Sequence, residues 1–494
     1  MKATVLGEPE LEFALGRHID IKHGLAELGP LDRGELRTIR VGIVGSATTR
    51  ESVARWMESA SEGVSAKPSP LSNLFPPFPG FSETSPLNAR VSIQDRLNAD
   101  LSPQAIAEVL RAADPARGAA DLLASEARRL ADKGRPDVIV IATPPEILEV
   151  TDGLELDIHA GEHLEAPRAT IAEGLVPANN SAATPRTLTR TDLRDYLKAV
   201  ALAVGVPLQL MRPESYGLRV RHPRVGRLGQ ARALQDEATR AWNFFVALYY
   251  KASGTPWRLV RAESDLSTCF VGVSFYRSAD AATLQTSMAQ VFNERGQGMV
   301  IRGEAARQDK WDRVPHLEAA DSHSLLKSAL IAYRAEHLNL PARVVVHKSS
   351  THDRGELEGL TRAADEAGIQ VLDLLSLGET PIRLLRDGKY PVLRGTLLEL
   401  DERDQLLYTR GSVPFFETYP GSYVPRPIKL RLDSVSMSPR FLGSECLALT
   451  KMNWNNTQFD GGLPITLRAA REVGRVLRYV DRNVPIQSSY AFYM

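Results

Sequence analysis

The sequence predicts an α/β protein built as two successive halves, and three observations predict it. Apolar strand-like runs alternate with amphipathic helical stretches, the pattern of sheets covered by helices. The length of 494 residues exceeds what one ordinary hydrophobic core holds and sets a prior of two or three domains. The composition, 43% hydrophobic and 24% charged, is that of a globular chain rather than a disordered or fibrous one.

In the first half, residues 1–260, RTIRVGIVGSA (37–47) reads as a strand and RESVARWMESA as a helix. DVIVIATP (137–144) reads as a strand, 190–203 as a helix and VPLQLM (206–211) as a strand, so this half is Rossmann-like. The stretch SAKPSPLSNLFPPFPGFSETSP carries six prolines in 22 residues and reads as a long surface loop. LVPANNSAATPRT (175–187) reads as a second loop. GIVGSATTRESV lacks both the G-x-G-x-x-G and the Walker spacing. Its glycines are therefore assigned to a strand-to-helix turn rather than to a nucleotide-binding enzyme.

In the second half, residues 261–494, STCFVGVSFYR and QGMVIRG read as strands and a helix follows around 323–338. ARVVVHKS (342–349), a helix to about 366 and IQVLDLL continue the pattern. Strands at 390–400, 404–412 and 428–434 precede a terminal helical region. Two early strands, a helix, another strand and further β/α units give the order of a ribonuclease-H-like fold.

Sixty Lys plus Arg balance sixty Asp plus Glu, which excludes adhesion to nucleic acid through bulk positive potential. An anionic partner must be held by a local patch. The two cysteines, Cys269 and Cys446, lie in apolar runs, which excludes a disulfide framework and a thiolate metal site and fits a reducing cytoplasm. MKATVLGEPELEF loses its apolar character too early for a signal peptide. No apolar run approaches the ~20 residues of a membrane helix, so a cytoplasmic protein without membrane attachment is expected.

Two cationic constellations stand out. In ITLRAAREVGRVLRYVDR the arginines fall at 468, 471, 475, 478 and 482, spaced by three, four, three and four. At helical pitch they share an arc of roughly 80°. A solvated surface face would show the same periodicity. An all-arginine stripe with Glu472 as its one nearby acid suits phosphate better, because the guanidinium fork grips phosphate oxygens. The second constellation starts on TDLRDYLKAV, a helix capped by Thr191 or Asp192, where Arg194 and Lys198 are four apart and share a face. Gln209 follows in VPLQLM, and Lys251 closes the helix AWNFFVALYYKASG, with Gly254 as stop signal. Between them RPESYGLRVRHPRVGRLGQAR sets six arginines against one glutamate. Two cations and an amide near a helix end make a phosphate socket.

The strings LGEPELEFALGRHIDIKHGLAELGP, ATRAWNFFVALYYKASGTPWRL, CFVGVSFYR, ARVVVHK and LTKMNWNNTQFDGGLPITLRAAREVGRVLRYV are similar to those of the short prokaryotic Argonautes, from residue 6 to the C-terminus. Those proteins comprise a MID domain and a PIWI domain. The resemblance implies that Arg194, Lys198, Gln209 and Lys251 bind the 5′ phosphate of a guide strand, with Arg468, Arg471, Arg475 and Arg478 on its backbone. It also implies an Mg²⁺ ion at that phosphate, held by Gln209 and the α-carboxylate of Met494. In cleaving relatives the PIWI domain holds two metal ions with carboxylates. In this sequence Ser274 takes the first aspartate position, and HKSS replaces an Arg-Asp-Gly turn, with Lys348 at or near the second. Asp265 falls too early on the strand to substitute, and Asp460 has no evident carboxylate partner. No catalytic residue is expected.

The implied function is recognition of single-stranded DNA by a guide RNA, as the sensor of a prokaryotic anti-phage or anti-plasmid system. The implied partner is an effector that carries an N-terminal-lobe-like (APAZ) domain fused to a TIR, sirtuin-like or nuclease domain, with a higher oligomer forming on target binding. The alternative is an active metal-dependent guided nuclease with a different carboxylate set.

Overall fold

The computed structural model describes residues 2–151, 191–218, 234–261, 265–279, 283–292, 298–308, 314–385, 387, 391–421, 424–459 and 461–494. The chain runs β1 (Lys2–Val5), β2 (Leu11–Phe13), β3 (Gly16–His18), α1 (Ile21–Leu28), β4 (Arg37–Gly45), α2 (Ala47–Ser61), β5 (Ala89–Asp100), α3 (Pro103–Leu110), α4 (Pro115–Gly134) and β6 (Val138–Ala142). It continues through α5 (Leu193–Ala201), β7 (Leu208–Met211), α6 (Glu237–Lys251) and β8 (Arg258–Leu259). The second half holds β9 (Thr268–Arg277), β10 (Leu284–Phe292), β11 (Val300–Ala305), β12 (Arg307–Gln308), β13 (Pro315–His316), α7 (Ala319–His337), β14 (Arg343–Lys348), α8 (Arg354–Glu366) and β15 (Val371–Glu379). It ends with β16 (Thr396–Glu399), β17 (Asp404–Leu407), β18 (Ile428–Ser434), α9 (Pro439–Leu449) and α10 (Ile465–Leu477). Among the described residues no helix is long and apolar enough to cross a membrane.

The first half is built on a parallel sheet of order β5-β4-β6-β7. Its central strands are near-continuous Val and Ile runs because helices cover both faces. Val41, Ile43, Val138 and Val140 pack with Val53, Met57, Trp242 and Phe245 on the α2 and α6 side. Val44, Ile139 and Ile141 meet the alanine stripe of α4 and Leu193 and Leu197 of α5 on the other. The turn after β4 confirms the structural reading of its glycine: a Cβ at Gly45 would lie 2.5 Å from the Thr49 hydroxyl and 2.7 Å from the Ala142 carbonyl oxygen. Strand β5 and helix α4 escaped the sequence reading. NARVSIQDRLNAD is polar along much of its length, as suits an edge strand, and the face of α4 is made of alanine rather than large residues.

The second half is a sheet of order β1-β16-β17-β18-β15-β14-β9-β10-β11. β9 runs parallel to β14 and β14 to β15, whereas β9, β10 and β11 form an antiparallel meander. Three early strands therefore stand where two were expected, β10 being the addition. Helices α7 and α8 cover one face, and α10 crosses the other over β9. The crossing is close: a Cβ at Gly272 would sit 2.2 Å from the Thr466 carbonyl oxygen, so only glycine fits in CFVGVSF. Both cysteines are buried and unpaired, as expected.

Two segments tie the halves together across the expected boundary at 260. Strand β1 adds to the second sheet through β16, and the Glu8 carboxylate is held by Arg394 at 3.1 Å and Lys451 at 2.6 Å. The Lys451 ammonium also donates to the carbonyls of Pro9 and Ile19, which explains the buried lysine of LTKMNW. The proline-rich stretch is a strap as well as a loop. Phe78 and Phe81 are buried against Phe245, and Trp242 donates to the Pro77 carbonyl. Further along the strap, Asn73 bonds Phe415 of the second half. The second loop, 175–187, lies outside the described residues.

Candidate nucleic-acid interface

The site forms where β7 and the ends of α5 and α6 meet α10 and the C-terminal tail. Asp192 caps α5, its carboxylate accepting from the Asp195 N–H at 2.8 Å, which leaves Arg194 and Lys198 on the helix as the spacing required. Helix α6 ends at Lys251. The residue that turns the chain is Ser253, at φ 65°, rather than Gly254. Gly254 is needed for another reason, because a Cβ there would strike the Tyr249 ring at 2.3 Å.

Lys198 and Lys251 are 2% and 4% exposed, an unusual burial for two ammonium groups. The Lys198 ammonium donates to the Leu208 carbonyl at 2.5 Å, and Lys251 donates to the Gln209 amide oxygen at 2.5 Å. Among the described residues no carboxylate is bonded to either. Burial first, then the charges of Lys251 and Arg194, hold the Lys198 ammonium well below the usual lysine range, with Asp195 and Glu472 opposing. Burial and the Arg194 guanidinium pull Lys251 down to about 7, again against Glu472. The structure therefore brings Arg194, Lys198, Gln209 and Lys251 together. An oxyanion is the ligand such a group of desolvated donors fits.

The tail closes the site from the second half. A 3-10 turn at Tyr490–Phe492 packs against α6, and Tyr493 and Met494 are buried. The Tyr490 hydroxyl donates to Glu472 of α10 at 2.5 Å, and Gln487 donates to the Leu202 carbonyl at 3.0 Å.

The arginine stripe is corrected by the structure. Helix α10 ends at Leu477, so Arg478 caps it and Arg482 lies beyond it. Glu472 is not the one acid near the stripe. Arg468 lies 3.6 Å from Glu472, Arg471 3.7 Å from Glu379, and Arg475 pairs with Asp195 at 2.7 Å, with Arg482 3.9 Å from Glu304. Glu379, Asp195 and Glu304 come from other elements, which a helical wheel cannot show.

A divalent ion is not favoured by the side chains themselves. The Gln209 oxygen already accepts from Lys251, and Asp195 and Glu472 are engaged by Arg475 and Tyr490. The protein's part in the expected Mg²⁺ site would fall to the Met494 α-carboxylate, which would supply a hard anionic oxygen beside those of the phosphate, and no step is assigned to it.

Ser274 and Lys348 do not share a site. Side chains alternate across a strand. Val271 and Val273 face the α7 and α8 layer, so Ser274, buried in the same strand, faces α10. Lys348 pairs in register with Val273 and shares its face. There it donates to Glu356 and to the Thr351 carbonyl, each at 2.8 Å. Its ammonium is engaged by a packing network on that face. Ser349 follows Lys348 at the end of β14, its N–H donating to the Val273 carbonyl at 3.0 Å. Among the described residues the one cluster of three groups able to hold a metal is His316, Asp353 and Glu356. Glu356 there accepts from the N–H groups of Leu317 and Asp353 as well as from Lys348. Asp265 precedes β9, and Asp460 lies outside the described residues.

No protein-family model matches the sequence, and no curated protein matches it. Solved structures do match. A Clostridium butyricum Argonaute bound to a guide DNA and a 19-mer target DNA superposes with a TM-score of 0.66 at 13% identity, covering 100% of this chain and 55% of that one. Drosophila Piwi gives 0.57 at 13% identity, covering 99% of this chain and 56% of that one. Aa-Ago with externally bound siRNA gives 0.57 at 14% identity, with 99% and 56% covered. The chain spans about half the length of these structures. Its fold is that of the MID and ribonuclease-H-like PIWI domains of Argonaute/Piwi proteins.

Proposed function

We propose, with the Argonaute/Piwi fold as premise, that the chain holds the 5′ phosphate of a guide strand and lets base pairing select a complementary target. The observation that carries this reading is the convergence of two buried ammonium groups, Arg194 and the Gln209 amide, with no carboxylate among the described residues bonded to either lysine. Phosphate oxygens complete such a site, and contacts to sugar and phosphate position a strand whose bases carry the specificity. The strands seen on the Clostridium butyricum Argonaute and on Aa-Ago are a guide DNA with target DNA and an siRNA. For this chain we assign a guide RNA and a single-stranded DNA target, following the resemblance to short Argonautes.

We further propose that the chain does not cut its target. Ser274 stands on β9 and Ser349 directly after β14, hydroxyl residues at strand positions where two-metal hydrolysis needs clustered anions. Incubation with guide, labelled complementary DNA and Mg²⁺ or Mn²⁺ is expected to leave the DNA intact. Sustained cleavage abolished by replacing one acid would establish the nuclease instead. Output then falls to a separate effector polypeptide that carries an N-terminal-lobe-like domain, in a cytoplasmic defence system. One protein co-purifying with the chain and an oligonucleotide is the expected result.

The lysines give the site a pH dependence. Lys251 titrates near 7 in the free protein, and a phosphate raises that value by favouring the charged form. Binding therefore takes up protons, and affinity for a 5′-phosphorylated strand falls as pH rises above 7. A strand ending in a 5′ hydroxyl shows the weaker slope. Calorimetry at pH 8 in two buffers of different ionisation enthalpy checks the uptake.

A further inference from the structure

We infer that Asp195 is a positioning residue, a buried carboxylate that aims Arg194 and Arg475, from opposite halves of the chain, at the end of the bound strand. The inference rests on the proposed phosphate socket. Asp195 is 4% exposed, and its N–H is tied to the Asp192 carboxylate in the first turn of α5. One carboxylate oxygen accepts from Arg194 at 3.0 Å and the other from Arg475 of α10 at 2.7 Å. The joint around it is fixed on both sides. Asp192 donates its N–H to the Tyr479 hydroxyl at 3.1 Å, and Tyr196 meets the Tyr479 ring edge-on with centroids 5.5 Å apart.

The exposure pattern argues for more than a structural ion pair. The acid is buried, whereas the side chains of Arg194 and Arg475 stay 34% and 40% exposed. Each guanidinium fork keeps donors on its outer side while its inner side is anchored. Asp195 anchors both guanidinium groups, with Asp192 acting on each, and their outer edges stay exposed near Lys198 and Lys251. A carboxylate placed behind two cations fixes where they point, which is how a site selects a phosphate at a defined distance rather than any polyanion.

The test compares the full chain with Asp195→Asn and Asp195→Glu, using strands of one sequence that end in 5′ phosphate or 5′ hydroxyl, over a salt series. With Asp195→Asn the released arginines neutralise one more phosphate charge, so the slope of log K against log salt steepens by about one. Preference for the 5′ phosphate drops at least about fivefold, the worth of one charge-assisted contact losing its aim. Asp195→Glu restores the parental slope and part of the preference. An unchanged slope and preference in Asp195→Asn, or equal weakening of both strands at constant slope, overturns the assignment. Should Asp195→Asn fail to fold, Arg475→Met is expected to flatten the slope by about one and reduce the preference. No change in either would overturn the inference. A parent chain without any 5′-phosphate preference defeats the socket itself, whereas a parental preference that Asp195→Asn retains defeats only the role of Asp195.

Discussion

Replacing Lys198 and Lys251 together by methionine is expected to lower affinity for a 5′-phosphorylated guide at least about 100-fold, each lost charge-assisted bond being worth about 1.5–3 kcal/mol. Discrimination against a 5′-hydroxyl strand disappears with it. The fold does not suffer in step. Both ammonium groups are desolvated in the free protein, and burial holds both below their ordinary range. A base depressed in the folded state binds fewer protons there than in the unfolded chain, so its contribution to stability rises with pH. For Lys251 that window runs from about 7 up to the ordinary lysine value of 10.5. Methionine keeps the length of the side chain and removes the charge, so at pH 7 the melting temperature stays at the parental value or rises. Loss of binding without loss of stability separates a ligand-facing site from a packing motif. Retained affinity in the folded double variant would contradict the assignment.

The second large effect lies on the far face of the second sheet. Glu356→Ala is expected to destabilise the chain by about 3–5 kcal/mol, because it leaves a buried ammonium without its counter-ion. Lys348 and Glu356 side chains are 2% and 1% exposed and 2.8 Å apart. Burial lowers the Lys348 ammonium from its ordinary range, and the Glu356 carboxylate opposes that. The substitution also removes the acceptor for the Leu317 and Asp353 N–H groups and opens the capping box of α8. Lys348→Met, which removes the buried charge, is expected to cost less. Chemical denaturation measures both. Guide affinity of the folded fraction stays parental, since this network faces α7 and α8 rather than the socket. A loss of phosphate preference would place it in the binding machinery after all.

What the sequence disclosed depended on whether the signal was local. The parallel strands β4, β6 and β14 were legible because burial on both faces makes them continuous apolar runs. Helix α5 and its cap were legible from TDLRDYL, and the four socket residues from their spacing together with the resemblance. Strand β5, on the sheet edge, gave no comparable signal, nor did the alanine face of α4. The strap could not be read from its prolines, since Phe78 finds Phe245 far along the chain. Asp195 stands next to Arg194 and was passed over, because its second partner Arg475 lies 280 residues on. The face that Lys348 takes was not legible either. A strand has period two, so a shift of one puts a side chain on the opposite face, and only the pairing of Lys348 with Val273 fixes the parity.

Equilibrium competition on the unaltered chain, between strands of one sequence ending in 5′ phosphate and 5′ hydroxyl, tests the claim that cations from distant segments make a phosphate socket. The expected result is a preference for the phosphate of at least about tenfold, one contact's worth, that weakens from pH 7 to 9. Equal occupancy by both strands across that range would contradict it.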